Sequence, residues 1–121
     1  MRRSRWVPAA LWAALIELLT SWPTPSGMSV PAGSDKVAHA ALYAVFGFLV
    51  ARAVQTGRPG LRVTLAVLPA LAAWAALDEW HQRFIAGRTP STADWVADIC
   101  GVAIGMAARR AKPTGLSAGP A

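Results

Sequence analysis

The sequence predicts an all-α protein, a bundle of four transmembrane helices with both termini in the cytoplasm. Three observations lead there. The 121 residues are 55% apolar and only 15% charged, too greasy a mixture for a small soluble domain. The apolar residues gather in four stretches, roughly 6–21, 37–54, 63–77 and 95–108, parted by segments rich in Pro, Gly, Ser and charge. The basic residues punctuate alternate ends of those stretches, as the short cytoplasmic loops of membrane proteins do.

The first helix, about 6–22, follows the basic segment Met1-Arg2-Arg3-Ser4-Arg5. Such a start also suits a secretory signal peptide cleaved after Val30-Pro31-Ala32, but Glu17 inside the apolar run and the Pro-rich gap behind it speak against cleavage. The second helix, about 35–54, takes Ser34 or Asp35 as its N-cap. The third, about 62–86, opens with the charge-free run VTLAVLPALAAWAAL and continues through Asp78 to Ala86 before Gly87 stops it. Its length, roughly 36 Å at 1.5 Å per residue, spans a bilayer core. Pro69 would cost heavily in a soluble helix and is tolerated in a membrane span, where neighbouring groups satisfy the freed carbonyl. The fourth helix, about 91–108, begins after Pro90, where Ser91-x-x-Asp94 fits a capping box. Residues 111–121 read as a disordered cytoplasmic tail, which leaves 1–110 as one membrane domain.

Charge gives the topology by an independent route. With the N-terminus inside, Arg2, Arg3, Arg5, Arg52, Arg58, Arg62, Arg109, Arg110 and Lys112 are cytoplasmic, nine of the 12 basic residues. Lys36, Arg83 and Arg88 face out, together with all six acids: Glu17, Asp35, Asp78, Glu79, Asp94 and Asp98. This distribution matches a multi-pass protein of the bacterial cytoplasmic (inner) membrane with lipids as its surroundings. It does not match a nucleic-acid binder, whose bases cluster on one face. A single Cys100 and two histidines exclude a disulfide framework and a structural zinc fold. Cys100 is expected to pack as a small apolar residue, and the six tryptophans to serve as interface belt and packing.

An ionisable group inside a membrane costs roughly 2.5 to 3.5 kcal/mol, so it usually faces a cavity or a partner. This chain holds several at one depth. Asp35, His39 and Tyr43 recur at i, i+4, i+8 and form one stripe on the second helix. Asp78 and Gln82 lie four apart on the third, with Glu79 and His81 beside them. The fourth carries Asp94 and Asp98 above Gly101-x-x-x-Gly105, a spacing that lets another helix approach closely. Glu17 adds the first helix, so all four point polar groups at the outer leaflet, the pattern of a shared pocket. Plainer roles exist: Asp35 and Asp94 suit helix N-termini, Glu79 and Arg83 form an i, i+4 pair, and His39 and Tyr43 suit interhelical bonding and the interface. Asp78 and Glu79 resist such roles, being adjacent carboxylates at the unfavourable end of a helix dipole.

The combination Asp35-Lys36-x-x-His39-x-x-x-Tyr43, then Asp78-Glu79-x-x-Gln82-x-Phe84-x-x-Gly87-Arg88-x-x-Ser91-x-x-Asp94, then Gly101 and Gly105, resembles the VanZ-like family of small bacterial integral membrane proteins. That family is named for a protein associated with teicoplanin resistance. The resemblance implies a cell-envelope protein with a link to glycopeptide antibiotic resistance, and it supplies no mechanism. Where the family pattern shows Asn four residues after the Asp of the last helix, this chain has Asp98.

Two classes of function fit these residues. In the first, the outward polar pocket binds a lipid head group, a lipid-linked cell-wall precursor or a glycopeptide through Asp35, His39, Tyr43, Asp78, Glu79, Gln82, Ser91, Asp94 and Asp98, with Lys36, Arg83 and Arg88 as donors to phosphate or carboxylate. In the second, an embedded enzyme acts on a lipid-linked substrate with Glu79, His39 or Asp78 in acid/base roles. No nucleophile motif accompanies the second, so whether the chain is an enzyme stays open and binding is favoured. No cofactor or metal is expected, because the ligand types present lack a helical His pair or a recognised metal motif. A transporter reading would require a homo-oligomer, since one four-helix chain without inverted repeats cannot enclose a path.

Overall fold

The computed structural model describes residues 2–21, 34–54, 60–85 and 91–111. It is all-helical: α1 spans Arg2–Ser21, α2 Ser34–Val54, α3 Leu61–His81 and α4 Thr92–Ala111, with a short 3-10 turn, Gln82–Phe84, closing α3. The helices run alternately up and down, so the end of α1, the start of α2, the end of α3 and the start of α4 share one end of the bundle. By length and composition two segments suffice to cross a membrane, Lys36–Val54 and Leu61–Phe84.

Most bounds differ from expectation by a turn or less. α1 starts inside the basic segment because arginine is a good helix former. α4 runs on through Arg109 and Arg110, whose charges suit the negative end of the helix dipole. The α-helical part of α3 ends at His81 rather than near residue 86, its last turn tightening so that Ile85 N–H donates to the Gln82 carbonyl at 3.1 Å. Pro8 and Pro69 both lie within helices, as expected for Pro69. The expected cytoplasmic tail lies almost wholly outside the described residues.

The most extensive packing joins α2 to α4, and it depends on three glycines. A Cβ on Gly101 would press on the Ala40 carbonyl oxygen and stand 3.0 Å from the Ala40 carbonyl carbon and Cα, one on Gly105 would stand 2.8 Å from the Ala44 carbonyl carbon and Phe48 N, and one on Gly47 2.6 Å from the Val102 carbonyl oxygen. Gly101-x-x-x-Gly105 therefore does bring two backbones together, and Gly47 extends the seam from the other side. α1 rests on α2, where the Trp12 indole N–H donates to the Leu42 carbonyl at 2.8 Å. α3 is tied to α4 in the same way, by Trp95 Nε1–H to the Ala72 carbonyl at 3.0 Å. These two tryptophans thus bridge helices, the packing part of their expected role.

The distribution of polarity is inverted relative to a soluble protein. Asp98 is fully buried and Asp78 is 3% exposed, while Leu11 and Leu77 on the outer faces are 66% and 65% exposed. Apolar outer faces occur on α1 (Leu15, Leu18) and α4 (Val96, Ile104) as well as on the two longest apolar segments. Cys100 is also exposed on α4, against the expectation that it packs inward. A bilayer is the solvent in which such a surface carries no penalty.

Candidate functional site

The buried polar residues collect at the shared end described above, in two groups. The first is centred on Asp78 of α3. Thr20 Oγ1 of α1 stands 2.9 Å from Asp78 Oδ1, and the Tyr43 hydroxyl of α2 donates to Asp78 Oδ2 at 3.0 Å. Both carboxylate oxygens are occupied, and three helices are joined through one side chain. Glu17 and His81 lie beside this group, their ligand-type atoms and one of Asp78 all within 4.8 Å of one another.

The second group joins α2, α3 and α4. His39 Nδ1 lies 2.8 Å from Asp98 Oδ1 and 4.0 Å from Glu79 Oε1. Glu79 Oε2 accepts the backbone N–H of Ser91 at 3.2 Å. Ser91 caps α4 as its position suggests, its Oγ accepting from Ala93 N at 3.1 Å and Asp94 N at 3.3 Å. The return arm of a capping box would run from Asp94 to the Ser91 N–H. Here Glu79 takes that N–H, and Asp94 turns to Lys36, whose Nζ is 3.4 Å from Asp94 Oδ1. Lys36 and Asp94 so link the first turns of α2 and α4.

Several buried polar atoms of this end have no hydrogen-bond partner among the described residues: Glu79 Oε1, Gln82 Nε2 and Asp98 Oδ2. A desolvated polar atom without a partner is costly, and at a functional site it marks a place where a ligand completes the bonding. Glu79 also borders a cavity of about 390 Å³ between α3 and α4, with Arg83, Ser91 and Thr92 as its other polar members and Trp80 and Trp95 as its aromatic walls.

The end of the bundle therefore gathers Lys36, His39, Tyr43, Asp78, Glu79, Gln82, Ser91, Asp94 and Asp98, although only Glu79 and Ser91 of these reach the cavity. Asp35 falls in the first turn of α2, but its side chain is outside the described residues, as is Arg88 altogether. Sequence reasoning passed over Thr20, whose position three residues after Glu17 on the same helical face was the available signal. It also passed over an apolar cavity of about 510 Å³ lined by α1, α2 and α3, with Trp6, Ala9, Phe46, Val50, Leu71 and Trp74 among its walls.

A family model described as VanZ/LLP1 matches residues 2–111, all four helices. The chain belongs to the VanZ/LLP1 family. Neither a curated protein nor a solved structure matches it. Membership agrees with the apolar segments in making this VanZ-like chain a membrane protein. In this VanZ/LLP1 chain Asp98 is hydrogen-bonded to His39 and occupies the centre of the second group.

Proposed function

We propose that the chain is a four-span protein of the bacterial inner membrane, and that its outward polar end binds the head group of an envelope ligand. A lipid head group, a lipid-linked cell-wall precursor and a glycopeptide share the chemistry required: hydroxyls or sugar rings with phosphate or carboxylate. The observation that carries the reading is the cavity beside Glu79, where an acid, a guanidinium and two hydroxyls stand between two tryptophans at the end of an apolar bundle. Aromatic faces take sugar rings or an acyl chain neck, Arg83 pairs with phosphate or carboxylate, and Glu79 accepts hydroxyl or amine protons. A link to glycopeptide resistance follows if the ligand is a glycopeptide or its cell-wall target. A lipid-resolved mass spectrum of the purified protein tests this: a polyprenyl-phosphate or glycolipid species is expected on the wild type and reduced on Arg83→Ala. Protein free of envelope lipid that is also unaffected in melting by added precursor or teicoplanin would sink the proposal.

The topology rests on the nine basic residues assigned inside. A periplasm-active reporter fused after Lys112 is expected to be silent, and one inserted between α1 and α2 active. The opposite pattern refutes the orientation. Arg88, read from sequence as an outer-loop cation, is expected to serve the ligand and not the fold. Arg88→Ala should leave melting within about 0.5 kcal/mol of wild type while lowering ligand binding at least tenfold, and Arg88→Lys should restore it only in part, since an ammonium lacks the planar fork. Full binding in both variants removes Arg88 from the site.

A second reading is favoured by one contact. A histidine held by a buried carboxylate at 2.8 Å, with another carboxylate 4.0 Å away, is an arrangement suited to proton transfer on a lipid-linked substrate. His39→Ala would then abolish turnover while leaving ligand binding, a separation that simple binding does not produce.

A further inference from the structure

Three side chains of the second group can do something that hydrogen bonding alone does not require. His39 of α2, Glu79 of α3 and Asp94 of α4 each offer one ligand-type atom, and these atoms all lie within 4.8 Å of one another. Three atoms bound to one cation at about 2.0 to 2.2 Å, with a further position open, stand about 3.3 to 3.6 Å apart, so rotamer adjustments of about an ångström would draw these three into a coordination sphere. We propose that His39, Glu79 and Asp94 bind one divalent transition-metal cation, Zn²⁺ or Mn²⁺, leaving a coordination position open toward the cavity between α3 and α4.

Four observations besides proximity point to a cation. Glu79 is 6% exposed, and its Oε1, 4.0 Å from His39 Nδ1, has no hydrogen-bond partner among the described residues. The other oxygen of Glu79 is held by the Ser91 N–H, which sets the orientation of the carboxylate as outer partners of metal ligands do. Asp98, fully buried, holds His39 Nδ1 at 2.8 Å, a carboxylate–histidine pairing that leaves Nε2 as the ring nitrogen for a cation. Finally, Glu79, Asp94 and Asp98 put three carboxylates around His39 and Lys36, and Lys36 is 46% exposed in its side chain, long enough to withdraw to the surface when a cation arrives. One imidazole with two carboxylates suits Zn²⁺ or Mn²⁺ better than a soft cation, and it is less oxygen-rich than Ca²⁺ sites.

The neighbouring group of Glu17, Asp78 and His81 is the natural control. It also gathers ligand-type atoms within 4.8 Å, but both Asp78 oxygens already meet the hydroxyls of Thr20 and Tyr43. A metal there would have to break two helix-joining bonds.

The test needs no knowledge of the envelope ligand, so it can fail or succeed separately from the function proposed above. The full chain in detergent is stripped with chelator and titrated calorimetrically with Zn²⁺ and with Mn²⁺. One equivalent is expected to bind at micromolar concentration or below for at least one of the two. Glu79→Gln, Asp94→Asn and His39→Ala should each weaken binding at least tenfold. Asp98→Asn, which alters a positioning residue, should weaken it by about tenfold while preserving the stoichiometry. Glu17→Gln and His81→Ala should leave it unchanged. Helicity by circular dichroism and elution on gel filtration establish that each variant is folded, and the wild-type titration decides even where one is not. Absence of saturable binding to the stripped wild type overturns the proposal, as does binding that survives Glu79→Gln and Asp94→Asn or is lost in Glu17→Gln.

Discussion

Gly105→Val is expected to destroy the seam between α2 and α4 and, with it, the folded bundle. The added side chain has no flexible neighbour to displace: its Cβ would sit 2.8 Å from both the Ala44 carbonyl carbon and the Phe48 amide nitrogen, and closer still to the Ala44 carbonyl oxygen. Overpacking against side chains costs about 1 to 3 kcal/mol, and a clash with backbone lies at or beyond the top of that range. Association between helices in lipid draws on close packing and weak Cα–H···O contacts, both of which need the short backbone separation that glycine permits. The loss should therefore propagate to the polar end, because α2 and α4 supply both His39 and Asp98. Unfolding in mixed detergent micelles gives the measurement, with Gly60→Ser as control: nothing among the described residues lies within 4 Å of a Cβ at 60, and a serine suits that N-cap. Wild-type stability in Gly105→Val would mean that the seam is not close-packed.

The second large effect is expected at Asp98. Asp98→Leu removes the hydrogen-bond partner of His39 Nδ1 and leaves a buried ring nitrogen unpaired. Breaking one half of a buried, hydrogen-bonded pair costs about 3 to 5 kcal/mol. Asp98→Asn keeps an acceptor oxygen at the same place and should hold the fold to within about 1 kcal/mol. The double variant His39→Leu with Asp98→Leu should recover much of the loss, because no polar group is then stranded. A double-mutant cycle on the same unfolding measurement reads the coupling directly. Additive single losses, with no recovery in the double variant, would show that the 2.8 Å contact contributes little and that packing alone holds the two helices at this level.

The site was legible in outline. Acids on every predicted helix, counted from one end, had to meet if the helices alternate in direction, and they do meet there. The individual bonds were not legible. Ser91-x-x-Asp94 reads as a reciprocal capping box, yet Glu79 takes the Ser91 N–H because α3 delivers a carboxylate to the start of α4. Asp78 reads as a chemical group, and its two oxygens are occupied by Thr20 and Tyr43, a joint among three helices. Trp12 and Trp95 read as interface belt or packing residues, and the particular carbonyls of neighbouring helices that their indole N–H groups reach were not legible.

Helix number, approximate ends, alternating direction and the concentration of acid at one end are properties of a line of residues. Apolar length, capping residues, prolines and the placement of arginines determine them without reference to neighbours, and the match of residues 2–111 to VanZ/LLP1 is of the same one-dimensional kind. Rotation of each helix about its axis is different. α2 and α3 are apolar nearly all round, with exposed Val37, Val45, Leu65 and Leu77 opposite buried Tyr43, Phe46, Val67 and Leu71, so hydrophobic periodicity does not say which face turns inward, and only the few polar residues, His39 and Tyr43 on α2 and Asp78 and Gln82 at the end of α3, mark it. Packing of Gly101 and Gly105 on Ala40 and Ala44 sets the rotation of α4 against α2. Only that rotation brings His39 to Asp98 and puts carboxylate oxygens of Glu79 and Asp94 within 4.8 Å of the same ring. Which polar groups meet was therefore decided by the tertiary structure, because in an apolar helix the choice of face depends on the shape of its neighbour and not on its own hydrophobicity.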